Sequence, residues 1–141
     1  MSTSTIELVI VSQDQIMYRG FVDHVNITGE AGELGIYPRH TQLLTRLKPG
    51  IVSFNVDGEA KVMYTSGGFV EVQPNIVTIL ADVAIHAHEL DKDRILKAKE
   101  IAESKLSNAS GEDMELVAAK LKREIAKLRA YEYINSMQSK R

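Results

Sequence analysis

The sequence contains no cysteine, which excludes a disulfide framework, a thiolate metal site and a cysteine nucleophile. No apolar run approaches the ~20 residues that cross a bilayer as a helix. The start, Met-Ser-Thr-Ser-Thr, lacks a basic stretch followed by an apolar core, so neither export by such a signal nor a membrane-spanning helix is expected. A nucleotide-hydrolysing site needs a glycine loop closed by Gly-Lys-Ser/Thr, and no such triplet occurs. Gly29, Gly32 and Gly35 are spaced too irregularly to cradle phosphate and read as turn glycines. Ser53, Thr65 and Ser66 have no base beside them and no nucleophile elbow is present. His86 and His88 can share a strand face near Glu89 and Asp91, but metals draw three or four supported ligands, so this is read as an incidental pair. His24 has no evident partner. With every catalytic requirement unmet, neither an enzyme nor a metal protein is expected.

What is present is the balance of a globular chain: 141 residues, 44% hydrophobic and 26% charged. The formal net charge of −2 argues against a general nucleic-acid binder. Its distribution is uneven. Residues 1–86 carry nine acids and five bases, residues 87–141 ten acids and twelve bases, and from Met114 onward seven bases face three acids. The two parts of the chain face different electrostatic tasks.

Ile6, Leu8 and Ile10 alternate with polar or outward positions and predict a strand over residues 6–11, followed by a turn at Asp14-Gln15. Residues 16–28 continue in β-type composition, with Gly20 suggesting a bulge or bend. Residues 32–50 hold three glycines and two prolines, which bar a helix; they predict an ordered, turn-rich connection with Leu34, Ile36, Tyr37, Leu43, Leu44 and Leu47 packed against something. Val52, Phe54 and Val56 and then Ala60, Val62 and Tyr64 alternate on either side of Asp57-Gly58, a strong hairpin signal. Gly67-Gly68 and Pro74-Asn75 interrupt further β pattern, and residues 76–86 predict one last long strand. Many short strands without helical period indicate an antiparallel sandwich or barrel.

The period changes after residue 87. Asp91 and Asp93 supply a helix start, and Ile95, Ala98, Ala102 and Leu106 follow at spacings of three and four. Ser107 to Gly111 ends that helix. In the next, Met114, Ala118, Leu121, Ile125 and Leu128 form a narrow stripe that Tyr131, Ile134 and Met137 prolong less regularly. The fold class expected is mainly β plus α: a sandwich domain over residues 1–87 and an antiparallel helical hairpin over 88–141, thinly packed along its alanine-rich seam and so open to separation at modest cost. On the second helix Lys120, Arg123 and Lys127 fall opposite the apolar stripe, while Lys122 and Arg129 border it. Such a block is either a solvated face or a surface for an acidic partner.

Two long segments add a specific likeness. Gly32-Glu-Leu-Gly-Ile-Tyr-Pro-Arg-His-Thr-Gln-Leu-Leu-Thr-Arg-Leu-Lys-Pro-Gly50 resembles the G-E-L-G-I-x-P-x-H-x-x-L-L-T-x-(L/I)-K-P-G signature of the epsilon subunit of rotary ATP synthases. Ser66 to Asp82 resembles the same family's S-G-G-F-x-E-V-x-x-N-x-V-T-(I/V)-L-A-D segment. The resemblance covers nearly the whole chain and implies a non-catalytic rotor subunit. Its sandwich would bind the gamma subunit and rest on the membrane ring of c subunits, coupling proton-driven rotation to ATP synthesis. Glu30, Glu33, Arg39 and His40 would be ring contacts. Arg39 stands where the family often has Gly, and Gln42 where it often has Pro.

By the same resemblance the hairpin would inhibit ATP hydrolysis by meeting an acidic segment of the beta subunit through Lys120, Lys122, Arg123, Lys127 and Arg129. Leu90, Asp91 and Arg94 match an (I/L)-D-x-x-R-A motif that binds ATP in some relatives, with Ile95 in place of Ala, so Asp91 and Arg94 would be contacts for ATP as a regulatory ligand. Location would be peripheral, on the cytoplasmic face of a bacterial inner membrane. The alternative is a free-standing sandwich-and-hairpin adaptor for another acidic partner.

Overall fold

Alternating strands at the start of the chain and amphipathic helices at its end resolve, in a computed structural model describing residues 4–139 with side chains to residue 136, into the two expected parts. The strands are β1 (Ile6–Ser12), β2 (Gln15–Val22), β3 (Val25–Gly29), β4 (Gly32–Ile36), β5 (Leu43–Leu47), β6 (Gly50–Val56), β7 (Glu59–Thr65), β8 (Gly68–Val72), β9 (Ile76–Ala81) and β10 (Ala84–His86). A 3-10 turn, Ala87–Glu89, leads into α1 (Lys92–Asn108) and α2 (Glu112–Ser139). Hydrogen bonding runs in the order β10-β7-β6-β3-β5-β8-β9-β1-β2, with β4 on the side of β3. β3 meets β5 at the pair Gly29–Leu47, and there the sheet turns over into a second leaf. Both leaves point alternate residues inward. Leu8, Ile10, Ile27, Val52, Phe54, Val70, Val77 and Ile79 form one continuous buried core. The rings of Tyr18 in β2 and Phe54 in β6 lie 4.5 Å apart across it.

The hairpin between β6 and β7 forms as the Asp57-Gly58 pair dictates. Both residues have positive φ, 51° and 81°, the turn whose twist matches that of the strands it joins. Elsewhere the elements differ from the pattern. Residues 16–28 break at Asp23-His24, where the chain leaves β1's side and joins β6; the Asp23 N–H donates to the Asn55 carbonyl at 2.9 Å. Residues 76–86 break at Asp82-Val83 for the same reason, β9 lying between β8 and β1 while β10 joins β7. Composition is continuous across both crossings because β-forming residues stand on either side, Phe21 and Val22 before Val25 and Ile27, and Leu80 and Ala81 before Ala84 and Ile85. The bulge falls at Met17, left unpaired between Ile10–Tyr18 and Val11–Ile16, and Gly20 pairs regularly with Leu8. The first turn is Gln13-Asp14, at φ 50° and 63°. The connection over residues 32–50 contains β4 and β5 and is packed by Leu34, Ile36, Leu43 and Leu47, whereas Tyr37 and Leu44, also expected to pack, are exposed. β1 and β9 run parallel, a pairing that no local turn specifies.

In α1, Ile95 and Ala102 are buried and Ala98 and Leu106 half-buried, as the spacing requires. In α2, Ala118, Leu121, Ile125, Leu128, Tyr131 and Ile134 are half-buried, Met114 is exposed, and the side chain of Met137 lies outside the described residues. The most buried residues of α2 are others: Glu124, Ala126 and Ala130. They mark a second face that packs on β6 and β7, so α2 has α1 on one side and the sandwich on the other.

Candidate functional site

The expected ring contacts occupy the two ends of β4. Glu30 sits in the turn between β3 and β4, exposed, its N–H donating to the Arg46 carbonyl at 3.0 Å, and Glu33 is exposed at the start of β4. Arg39 and His40 lie beyond the end of the strand. Arg39 takes φ 68°, the left-handed region in which glycine is at ease, and its N–H donates to the Pro74 carbonyl at 2.8 Å. His40 is half-buried; its Nδ1 lies 2.7 Å from the Thr41 carbonyl and its N–H donates to Tyr37. Tyr37 in turn stacks on His24, ring centres 5.0 Å apart, a partner that sequence spacing did not reveal. The strand between them separates the four residues into an acidic pair and a basic pair.

A broader surface escaped the sequence reading. The registers of β5, β8, β9, β1 and β2 place Arg46, Phe69, Leu80, Val11 and Ile16 in one row across the outer side of their leaf. Leu44, Glu71, Thr78, Val9 and Arg19 form the next row, and Glu7 and Phe21 pair beyond it. Phe69, Leu80, Ile16, Phe21 and Leu44 are 47–71% exposed. An exposed sheet face of this breadth and apolarity marks an interaction site. The Arg46 guanidinium lies over the Phe69 ring at 5.6 Å and Glu7 pairs with Arg19 at 3.4 Å, while Glu71 stands within the face between Leu44 and Thr78.

The junction between α2 and the sandwich is unlike either surface. Tyr64 is fully buried beneath Ala126 and Ala130, with Ile51, Ile85 and Leu90 around it. Among the described residues its hydroxyl is the buried side-chain polar atom without a hydrogen-bond partner. Glu124 is 7% exposed and accepts from Lys127 Nζ at 3.3 Å, while that ammonium stands 5.7 Å from the centre of the Tyr64 ring. Burial, and then the Glu124 carboxylate, push the Tyr64 hydroxyl well above its ordinary pKa, against the opposing pull of Arg123. When the chain unfolds, Tyr64 returns to its ordinary value of 10.0. Stability from this group is therefore complete below that pH and is lost as pH rises toward the folded value. Between about pH 9 and about pH 11 the thermal midpoint is expected to fall more steeply for the wild type than for Tyr64→Phe, a difference that differential scanning calorimetry measures.

Of the five basic residues, Lys120, Lys122, Arg123 and Arg129 are exposed; Lys127 is committed to Glu124 and Tyr64. Arg129 lines a cleft of about 500 Å³ between α2 and the sandwich, with Glu33 and Asn26 on the opposite wall. Asp91 caps α1, its Oδ1 accepting from the N–H groups of Asp93 and Arg94 at 3.1 and 3.4 Å. Asp91 and Arg94 border a shallow hollow of about 380 Å³ that Glu89, Glu124 and Lys127 also line. Ile95 is buried there in the hairpin seam. His86 and His88 stack at 5.4 Å, and His88 lies 3.8 Å from Glu89; no cluster of three or more metal-ligating side chains exists among the described residues. No described helix is long and apolar enough to cross a membrane.

Residues 5–87 match the family model for the ATP synthase delta/epsilon chain β-sandwich domain, and residues 88–132 match that for its long α-helix domain. The chain belongs to the ATP synthase delta/epsilon family. A chain in the structure of the Euglena gracilis mitochondrial ATP synthase, containing OSCP, F1 and the c-ring, superposes with a TM-score of 0.83 at 25% identity, over 89% of this chain and 81% of that one. One in the central stalk and c-ring structure of the Tetrahymena thermophila mitochondrial enzyme shares the fold, with a TM-score of 0.55 at 16% identity, over 86% and 99%.

Within this delta/epsilon chain, the surfaces that sequence reading missed had faint signals. Ala126 and Ala130 are small residues four apart among long basic ones, the spacing of a face that approaches another surface closely. Leu44, Phe69 and Leu80 are apolar where strict alternation calls for outward polar residues.

Proposed function

We propose that the chain is a non-catalytic rotor subunit of the ATP synthase central stalk, which couples rotation of the c-ring to ATP synthesis in the catalytic head. The observation that carries this is the exposed apolar face of β5, β8, β9, β1 and β2, suited to permanent docking on a stalk partner, the gamma subunit. Family membership and the c-ring-containing complexes of its structural neighbours support the same reading. Glu30 and Glu33, and Arg39 and His40, are assigned to the polar loops of the ring. An acidic pair at one end of the strand and the Arg39 guanidinium at the other fix an orientation on a repeating surface better than a single cluster would.

The hairpin is assigned the regulatory role, inhibiting ATP hydrolysis by presenting Lys120, Lys122, Arg123, Lys127 and Arg129 to an acidic segment of the beta subunit. Lys127 is the member of that set already paired, with Glu124 on the same helix. ATP is the regulatory ligand proposed at Asp91 and Arg94; with Glu89 and Glu124 crowding the same hollow, an ATP-bound form requires Glu124 to turn away. The subunit is placed at the periphery of the membrane, on the cytoplasmic side in a bacterium. Co-expression with gamma tests the core of the proposal: the two proteins are expected to elute as one stable complex on size exclusion, and separate elution would overturn it.

A further inference from the structure

We propose that Tyr64, Glu124 and Lys127 form a polar latch that holds α2 on the sandwich weakly enough to be released on its own. The inference deepens the regulatory role assigned to the hairpin and rests on it. Three features of the junction converge. The two residues that seat α2 on Tyr64, Ala126 and Ala130, are the smallest that can fill an apolar contact, so they contribute little area. The Tyr64 hydroxyl is buried with no partner among the described residues, although one step of the helix away a carboxylate and an ammonium are paired with each other instead. Glu124 is itself nearly inaccessible, its charge held by Lys127.

A junction built for permanence would place leucine or phenylalanine at these positions. A buried ion pair beside an unsatisfied hydroxyl gives back much of its gain in desolvation, and all three groups recover water when the helix lifts away. The same act takes Lys127 off the Tyr64 ring and carries the intrahelical Glu124–Lys127 pair into water, where such a pair is worth little. Closing the latch therefore seats the hairpin through the contact among the three groups that crosses the junction, Lys127 on Tyr64.

Hydrogen exchange of the full-length chain, followed by mass spectrometry at neutral pH, tests this. In the wild type, peptides from α2 are expected to open well before β1 and β9, which lie in the core. Glu124→Gln leaves Lys127 half-buried without its counter-charge and is expected to speed α2 exchange by about tenfold, with β1 and β9 unchanged. Tyr64→Phe removes the unpaired hydroxyl, keeps the ring under Lys127, and is expected to slow α2 exchange by about fivefold. If Glu124→Gln leaves α2 exchange unaltered, or if it loosens β1 and β9 equally, the latch is wrong. Faster exchange in Tyr64→Phe would also overturn it. Wild-type α2 exchanging in step with β1 and β9 would sink the latch together with the mobile hairpin, whereas a hairpin that opens but ignores both substitutions would sink the latch alone.

Discussion

Replacing Leu80 by Glu is expected to weaken binding to the proposed gamma partner by about a hundredfold or more while leaving the thermal midpoint of the isolated chain within about 2 °C of wild type. Leu80 lies at the middle of the row Arg46–Phe69–Leu80–Val11–Ile16 and is 53% exposed. In the free chain a carboxylate there meets water and costs almost nothing. Across a docked interface the same position forfeits about 1.5–3 kcal/mol of leucine burial. It also strips water from a charge, a cost of several kcal/mol when no partner cation is at hand. Arg46 is two strands away and already engaged with Phe69, so it does not relieve the introduced carboxylate. Since about 2.8 kcal/mol corresponds to a hundredfold change in affinity, the combined loss exceeds that mark. Isothermal titration with purified gamma measures it, and a change below threefold would show that this face is not the docking surface.

That surface illustrates what kind of information the sequence carries. Elements whose shape is decided locally were legible: β1 from its alternation, the β6–β7 hairpin from Asp57-Gly58, and the start of α1 from Asp91, whose carboxylate does accept the first free amides. Elements decided by distant partners were not. The chain passes between leaves at Asp23-His24 and Asp82-Val83 without any change in composition, because strands of similar residue types stand on either side of each crossing. The region from Gly32 to Gly50 was recognisable as packed, yet its two strands exist only because β3 and β8 are present to pair with them. Helix α2 showed one face to a periodicity argument and kept the other hidden. Small alanines and a salt-bridged Glu124 add no hydrophobic signal, even though they are its most buried residues.

The site was legible to a similar degree. Arg39 stood out as occupying a glycine position, and its φ of 68° supplies the physical reason that a glycine suits the position. Lys127 was readable as one of five cations, but its place over Tyr64 depends on a contact between parts of the chain about sixty residues apart. Charge counting assigns a residue to a block; only geometry shows which member is already engaged.

The largest stability loss is expected at Gly68, where β8 begins between β5 and β9. Its φ of 137° lies in a region that side-chain-bearing residues rarely adopt, which costs about 1–3 kcal/mol for any substitution. The space is also taken. A Cβ at Gly68 would overlap the Leu80 carbonyl oxygen and stand 2.9 Å from the Ala81 Cα, both parts of the backbone of β9 and unable to turn aside as a side chain would. Forcing the two strands apart adds about 1–3 kcal/mol of overpacking and breaks the register Gly68–Ala81 on one side and Gly68–Leu47 on the other. Gly68→Ala is therefore expected to destabilise the sandwich by about 4 kcal/mol and to lower its thermal midpoint by about 20 °C. Gly58→Ala provides the comparison that separates the two causes. Gly58 also has positive φ, 81°, but open space around its missing Cβ, so the conformational cost acts alone and the expected loss is about 1 kcal/mol. Urea denaturation of both variants measures the difference. Equal losses would mean that β9 yields to the added methyl, and that the close approach of β8 and β9 contributes nothing to holding Phe69 and Leu80 side by side on the outer face.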